Sequence, residues 1–321
     1  MAINFKRFFK EESSTAVSDA LYNIQHQLNT LSAQVEQAKI LAAQSILSEF
    51  RHQRDGIPLA HSEFSVFSQF GDDGIIQYVI ARLKLSPDEQ RFVEFGVENY
   101  RESNTRFLLL NNNWSGLVMD GSDEHISFIR RDPIYWKYDL TARAHFVTRE
   151  NINSILHDAG FQGRIGILSI DVDGIDYWIW EAITAVDPAL VIVEYNSLFG
   201  GREAVTIPYQ ADFARGKAHY SFLYWGASLS ALCQLATQKN YVWIGCNSAG
   251  NNAYFVRKAD SAPFHHPSLA EGFVAAKFRD GRDIDGQLSY VGQRDGFGLL
   301  KDLPVWDVAT NQTRLVSDLR R

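Results

Sequence analysis

The stretch "FVEFGVENYRESNT", residues Phe92 to Thr105, gathers three carboxylates, Glu94, Glu98 and Glu102, around a single glycine, Gly96, directly after an apolar run. Open α/β sheets take their ligands at such turns, beyond the carboxyl ends of the strands. A dinucleotide there requires Gly-x-Gly-x-x-Gly, because backbone must approach the pyrophosphate closely and a helix amino terminus must face it. One glycine among three acids repels a pyrophosphate instead. The turn suits a ligand that lacks phosphate and carries positive charge.

A second acid agrees with that chemistry. Asp120 closes the next strand in "GLVMDGS", where a carboxylate can accept hydrogen bonds from both hydroxyls of a ribose, with Gly121 and Ser122 beside it. S-adenosylmethionine combines a ribose with an ammonium and a sulfonium, so the two turns together favour it over NAD. Asp139 and Leu140 follow the expected third strand, where an adenine edge can rest. The bland alternative is that an acid at a strand end only caps the next helix.

A third group of acids lies further along. Asp171, Asp173 and Asp176 crowd the end of one apolar run, and Glu194 with Asn196 ends the next. Neighbouring strand ends in a sheet lie about 5 Å apart, so Asp171, Glu194 and Asn196 can converge on a hard cation such as Mg2+. Such a cation would lower the pKa of an acceptor hydroxyl. The competing reading has Asp173 and Asp176 capping a helix and Glu194 bonding backbone. A hydroxyl is a poor nucleophile at neutral pH and needs a base or a metal. His219 is the expected base because it sits in an insertion after the fifth strand, where acceptor-binding loops belong. Asp173 is the alternative. Arg202, Tyr209, Arg215 and Lys217 in the same insertion are candidates to grip a phosphate of the acceptor.

These residues need a scaffold, and the pattern supplies one. From Phe64 onward apolar strands alternate with amphipathic helices: "RFVEFGV", "SGLVMDG", a weaker third strand in "YWKYDL", then "RIGILSIDVDG" and "ALVIVEYN". Strands that are apolar without alternation imply a sheet covered on both faces. "YVWIGCN" and "NAYFVRK" are too close for a parallel crossover, so an antiparallel hairpin closes the sheet. The expected fold is α/β, Rossmann-like, with seven mostly parallel strands as in class I methyltransferases. Before it, Leu21, Ile24, Leu28, Leu31, Val35, Ala38 and Ala42 step by three and four, the narrow seam of a coiled coil. The division expected is a helical oligomerisation segment over 1–55, a catalytic domain over 62–260 with an acceptor insertion at 197–225, and an extension over 261–321.

The runs "SQFGDDGII", "FVEFGVENYRESNT", "GLVMDGS", "ENIN", "LSIDVDGIDYWIWEAI" and "VIVEYN" resemble the FkbM-type family of S-adenosylmethionine-dependent methyltransferases, over about Ser68 to Lys258. The resemblance implies O-methylation of sugars or natural products. It also implies that Glu94 and Gly96 hold the methionine end, Asp120 the ribose and Ser122 its surroundings, that Ser68 and Gln69 close over the cofactor, and that Asn104 and Asp171 complete its site. The loop "GVENYRES" departs from the family's small, glycine-rich form. The acid cluster is similar to that of metal-dependent catechol and macrolide O-methyltransferases, in which two carboxylates and an amide hold magnesium.

Composition narrows the field further. The chain has 321 residues, 45% of them hydrophobic, with a net charge of -7 and no basic block, which argues against nucleic acid as a partner. Two cysteines are too few for a disulfide framework, and no run approaches the roughly 18 apolar residues of a membrane span. A soluble cytoplasmic enzyme acting on a small-molecule acceptor, a sugar or sugar nucleotide of surface polysaccharide, is expected. The alternatives are an NAD-dependent sugar oxidoreductase or epimerase, which shares the sheet, and a non-catalytic coiled-coil scaffold.

Overall fold

Apolar strands demand cover on both faces, and the structure, a computed structural model, provides it. Residues 4–50 and 55–320 are described, with side chains from Val17 onward; residues 51–54, at the expected end of the helical segment, lie outside them. Residues 1–49 and 50–321 form two separate units. The first is one long helix, α1 (Asn4–Phe50). Its expected seam is uncovered within the single chain: Leu21, Ile24, Leu28, Leu31 and Val35 are each at least half exposed.

The second unit is built on seven strands, β1 (Arg91–Phe95), β2 (Ser115–Asp120), β3 (Leu140–Ala144), β4 (Gly163–Ile170), β5 (Val186–Glu194), β6 (Tyr241–Cys246) and β7 (Asn252–Arg257). Their order is β3-β2-β1-β4-β5-β7-β6, parallel throughout except for β7, which runs antiparallel to both neighbours. This is the class I methyltransferase sheet, with the expected closing hairpin. The residues that make β4 and β5 legible as apolar runs, Ile167, Leu168, Leu190, Val191 and Val193, have no exposure. Helices α2 (Asp72–Ile80), α3 (Arg106–Asn112), α4 (Asp123–Arg131), α5 (Ile134–Lys137), α6 (Ile152–Asp158), α7 (Asp176–Ala182), α8 (Arg215–Ala218) and α9 (Leu229–Gln238) follow along the chain. Trp180 of α7 is the largest fully buried side chain and packs 4.8 Å from Phe255 of β7, ring centre to ring centre.

One expected element is misplaced. "YWKYDL" is not a strand: Ile134–Lys137 forms the short α5, and β3 starts where the sequence pattern had it stop. Pro133 explains this, because its fixed φ favours the first turn of a helix. β3 is an edge strand with only Leu140 and Ala142 buried, so it carries no apolar run.

Residues 261–321 belong to the same unit as the sheet. Their strands Pro304–Asp307 and Gln312–Leu315 form a hairpin that pairs with Val205–Thr206 of the insertion after β5. Insertion and extension therefore fold on each other.

Register sets the site. Glu94 of β1 pairs with Val118 and Ser169, Asp120 with Ala144, and Ile170 with Val193. Glu94, Asp120, Asp171 and Glu194 are thereby brought to one edge of four strands. Gly96 lets β1 and β4 approach there: its φ is +71°, and a Cβ would meet the Asp171 carbonyl oxygen at 1.6 Å. The Gly96→Ala variant should lose about 2–4 kcal/mol from combined overlap and backbone strain. Urea denaturation is the check; an unchanged midpoint would mean that the strand ends separate freely.

Candidate active site

A cavity of about 730 Å³ opens over the carboxyl ends of β1, β2, β4 and β5. Of the residues expected around a cofactor, Gln69, Glu94, Gly96, Asn104, Asp120, Gly121 and Asp171 line it. Glu94 is also bonded to its own loop. Its Oε1 accepts from the Asn104 amide (2.9 Å), and its Oε2 from the Ser103 hydroxyl (2.7 Å) and from the amide and hydroxyl of Thr105 (3.1 and 2.5 Å). Burial pushes its pKa up while these bonds pull it down. Glu94 thus fixes the loop that leads into α3.

Beyond Gly96, two non-glycine residues of that loop, Glu98 (φ 45°) and Tyr100 (φ 61°), are left-handed, conformations that cost such residues about 1–3 kcal/mol each. Asp120 Oδ2 accepts the Glu98 amide at 2.8 Å, and the Tyr100 hydroxyl lies 3.0 Å from Thr105 Oγ1, so both residues are held from outside.

Asp120 Oδ1 accepts from the Ser122 amide at 2.8 Å and lies 3.0 Å from His125 Nδ1. A carboxylate has about four acceptor positions, which leaves one on Oδ2 for a ribose hydroxyl. Ser122 is the N-cap of α4, its hydroxyl accepting the His125 amide, and does not line the cavity. Ser68 is also drawn elsewhere: its hydroxyl and amide bond Asp73 Oδ2, which further accepts the amides of Val66 and Phe67. Only Gln69 of that pair reaches the cavity. Asp139 and Leu140 stand at the opposite end of β3, with Leu140 paired to Gly116, and cannot contact an adenine there. His145 and Phe146, which follow β3, line the cavity, and Phe146 lies beside Gly121. The alternation of "LTARAHF" was the available signal for them.

Asp171, Asp173 and Glu194 each bring a carboxylate oxygen within 4.8 Å of the others. Glu194 is 8% exposed, and its Oε2 is buried without a hydrogen-bond partner. Burial, then repulsion from neighbouring acids, pushes the pKa values of Asp171 and Glu194 well up. Asn196 is not part of this group. Its Nδ2 donates to the carbonyls of Leu223 and Trp225 (both 2.9 Å) and its Oδ1 accepts the Leu198 amide, so its amide is spent on the insertion. Asp176 is spent likewise, on the Val172 and Gly174 amides. Three carboxylates with one orphaned oxygen fit a hard cation. Arg215 already lends them charge: it donates to Asp173 at 3.0 Å, pairs with Asp280 of the extension and lies over the Trp225 ring.

His219 stands outside the cavity, its Nδ1 2.7 Å from Ser221 Oγ, with burial pulling its pKa down. Arg202, Tyr209 and Lys217 are outside as well. The unforeseen wall is Phe278, Arg279 and Asp280, with Phe278 stacked on Phe70 at 5.4 Å. No local pattern in the extension announces this contact.

No family model matches the sequence, and no curated protein does. Among solved structures, the chain is similar to an O-methyltransferase from Bacillus cereus in complex with SAH (10% identity, TM-score 0.34, covering 53% of this chain and 76% of that one). It is also similar to an S-adenosylmethionine-dependent methyltransferase from Clostridium acetobutylicum (9%, 0.38, 58% and 90%) and to the SAH-bound N-terminal domain of EvdMO1 (12%, 0.34, 67% and 94%). Likenesses this distant carry no functional weight; the strand order itself defines the fold.

Two outcomes are expected here. Asp120→Ala should weaken binding of S-adenosylhomocysteine by about 1–3 kcal/mol through lost charged hydrogen bonds, and an unchanged dissociation constant would remove Asp120 from the site. Asp73 and Asp176 have pKa values raised by burial from 3.8 to about 6, so between those values the folded state binds more protons than the unfolded one. Unfolding free energy should therefore fall as pH rises from about 4 to about 6, by up to about 3 kcal/mol per group. A urea series across that range that showed rising stability would contradict it.

Proposed function

We propose that this chain is an S-adenosylmethionine-dependent methyltransferase that methylates an acceptor hydroxyl with the help of a divalent cation. One observation carries the second half of this reading: the orphaned Glu194 Oε2, buried beside Asp171 and Asp173 in the cavity that Asp120 and Gly96 also line. S-adenosylmethionine supplies the methyl group. When bound, a Mg2+-type ion would supply charge that lowers the pKa of the acceptor hydroxyl.

The chain's own residues do the rest. Asp120 accepts from the ribose, while Gly96 and the loop fixed by Glu94 leave room for the methionine end. His145 and Phe146 would border the adenine. Asp171 and Glu194 would hold the cation, and Asp173, the most exposed of the three acids, is proposed to take the hydroxyl proton. Phe70 and Phe278, stacked on each other, form one side of the cavity wall.

The acceptor class follows from the FkbM resemblance and from charge. Sugar hydroxyls suit a cavity of carboxylates, which bind them as hydrogen-bond acceptors. The diphosphate of a sugar nucleotide fits less well, since Arg215 and Arg279 are the arginines lining the cavity, and Arg215 is engaged by Asp173 and Asp280. A saccharide in surface polysaccharide or natural-product assembly, made by a cytoplasmic enzyme, is the acceptor proposed.

The test is transfer of labelled methyl from S-adenosylmethionine to a panel of saccharides, with Mg2+ and with a chelator. Transfer that the chelator abolishes is expected. Glu194→Gln should reduce the rate on the order of 100-fold while leaving S-adenosylhomocysteine affinity unchanged. Full activity in chelator would remove the cation, and absence of transfer to any hydroxyl compound would remove the acceptor class.

A further inference from the structure

Within its own unit, the apolar seam of α1 is uncovered among the described residues. Val17, Leu21, Ile24, Leu28, Leu31 and Val35 are 59, 62, 53, 55, 57 and 50% exposed, and Ala38 and Ala42 continue the row in the open. Alternate steps of four and three make this a row of coiled-coil core positions, with Leu21, Leu28, Val35 and Ala42 at one and Val17, Ile24, Leu31 and Ala38 at the other. Eight aliphatic side chains in a line about 39 Å long, from Val17 to Ala42, are what a helix presents to another helix.

We propose that α1 pairs with α1 of a second copy, antiparallel, about a two-fold axis between Asn29 and Thr30. The row is complementary to its own reverse. Turned end for end about that point, Val17 meets Ala42, Leu21 meets Ala38, Ile24 meets Val35, and Leu28 meets Leu31. Every core residue finds a partner of the other core set, and large side chains at the ends face alanines. Such a contact is isologous, as a two-fold dimer requires.

The flanking positions agree. Ala20 comes beside Leu41, which is 65% exposed, and Gln27 beside Gln34, whose side-chain amides can each donate and accept, while Ser18 meets Lys39 and Gln25 meets Ser32. No like charges meet, and the small residues Ser18, Ala20 and Ser32 let the helices approach closely. At the end of the helix, the antiparallel pairing keeps the two Glu49 side chains apart. The parallel arrangement would instead set the two Glu49 side chains against each other at a core position. A different partner chain is disfavoured because the flanking positions carry almost no charge with which to select one.

The experiment uses the full chain. Light scattering should give twice the chain mass of 36.4 kDa, and Leu28→Asp, at an exposed position, should halve that mass while leaving S-adenosylhomocysteine binding intact. Orientation is read by oxidation of cysteine variants. Leu21→Cys alone and Ala38→Cys alone should stay unlinked, because like positions lie about 26 Å apart along an antiparallel pair, whereas the double variant should form covalent dimers. A monomeric wild-type chain, or a Leu28→Asp variant that keeps its mass, overturns the pairing. Cross-linked single variants overturn the antiparallel register.

Discussion

Four carboxylates stand at the ends of four adjacent strands, and the site depends on how each is compensated. Two are satisfied by hydrogen bonds from the chain itself: Glu94 by Ser103, Asn104 and Thr105, and Asp120 by Glu98, Ser122 and His125. The other two are not. Glu194 is buried and Asp171 partly so, beside the exposed Asp173, and among the described residues Arg215 is the countercharge that stands near them. Buried charge without a partner is expensive, so the uncompensated half of the edge is where a ligand's charge is worth most.

This division explains the architecture around it. The compensated acids are positioning groups: Glu94 anchors the entry to α3, and Asp120 holds the strained Glu98. The uncompensated ones face a cavity that insertion and extension close together, the first through Arg215 and the second through Asp280 and Phe278. Arg215 joins Asp173 at the strand end to Asp280 on the extension, so the acid cluster and its cover are one electrostatic unit.

The sequence revealed most about what is locally patterned. β1, β4 and β5 were legible because buried central strands are apolar without interruption, and their terminal acids could be placed from that. β3 was misread because an edge strand lacks such a run, and with it Asp139 and Leu140 were assigned to the wrong end in place of His145 and Phe146. Ser68, Ser122 and Asn196 had suitable side chains and suitable positions, yet the Asp73 carboxylate claimed Ser68 and backbone amides and carbonyls claimed the other two. His219 failed for a related reason: an insertion's place in the chain does not say which of its residues turns inward. Phe278 and Asp280 meet the site through a contact with the far end of the chain, for which sequence spacing holds no sign.

The central claim is that the acidic edge selects a cationic, phosphate-free cofactor. Calorimetric titration of the full chain with S-adenosylhomocysteine and, separately, with NAD+ tests it most directly. The account predicts saturable binding of the first at one site per chain and no heat from the second. Binding of NAD+, or no binding of S-adenosylhomocysteine, would contradict it.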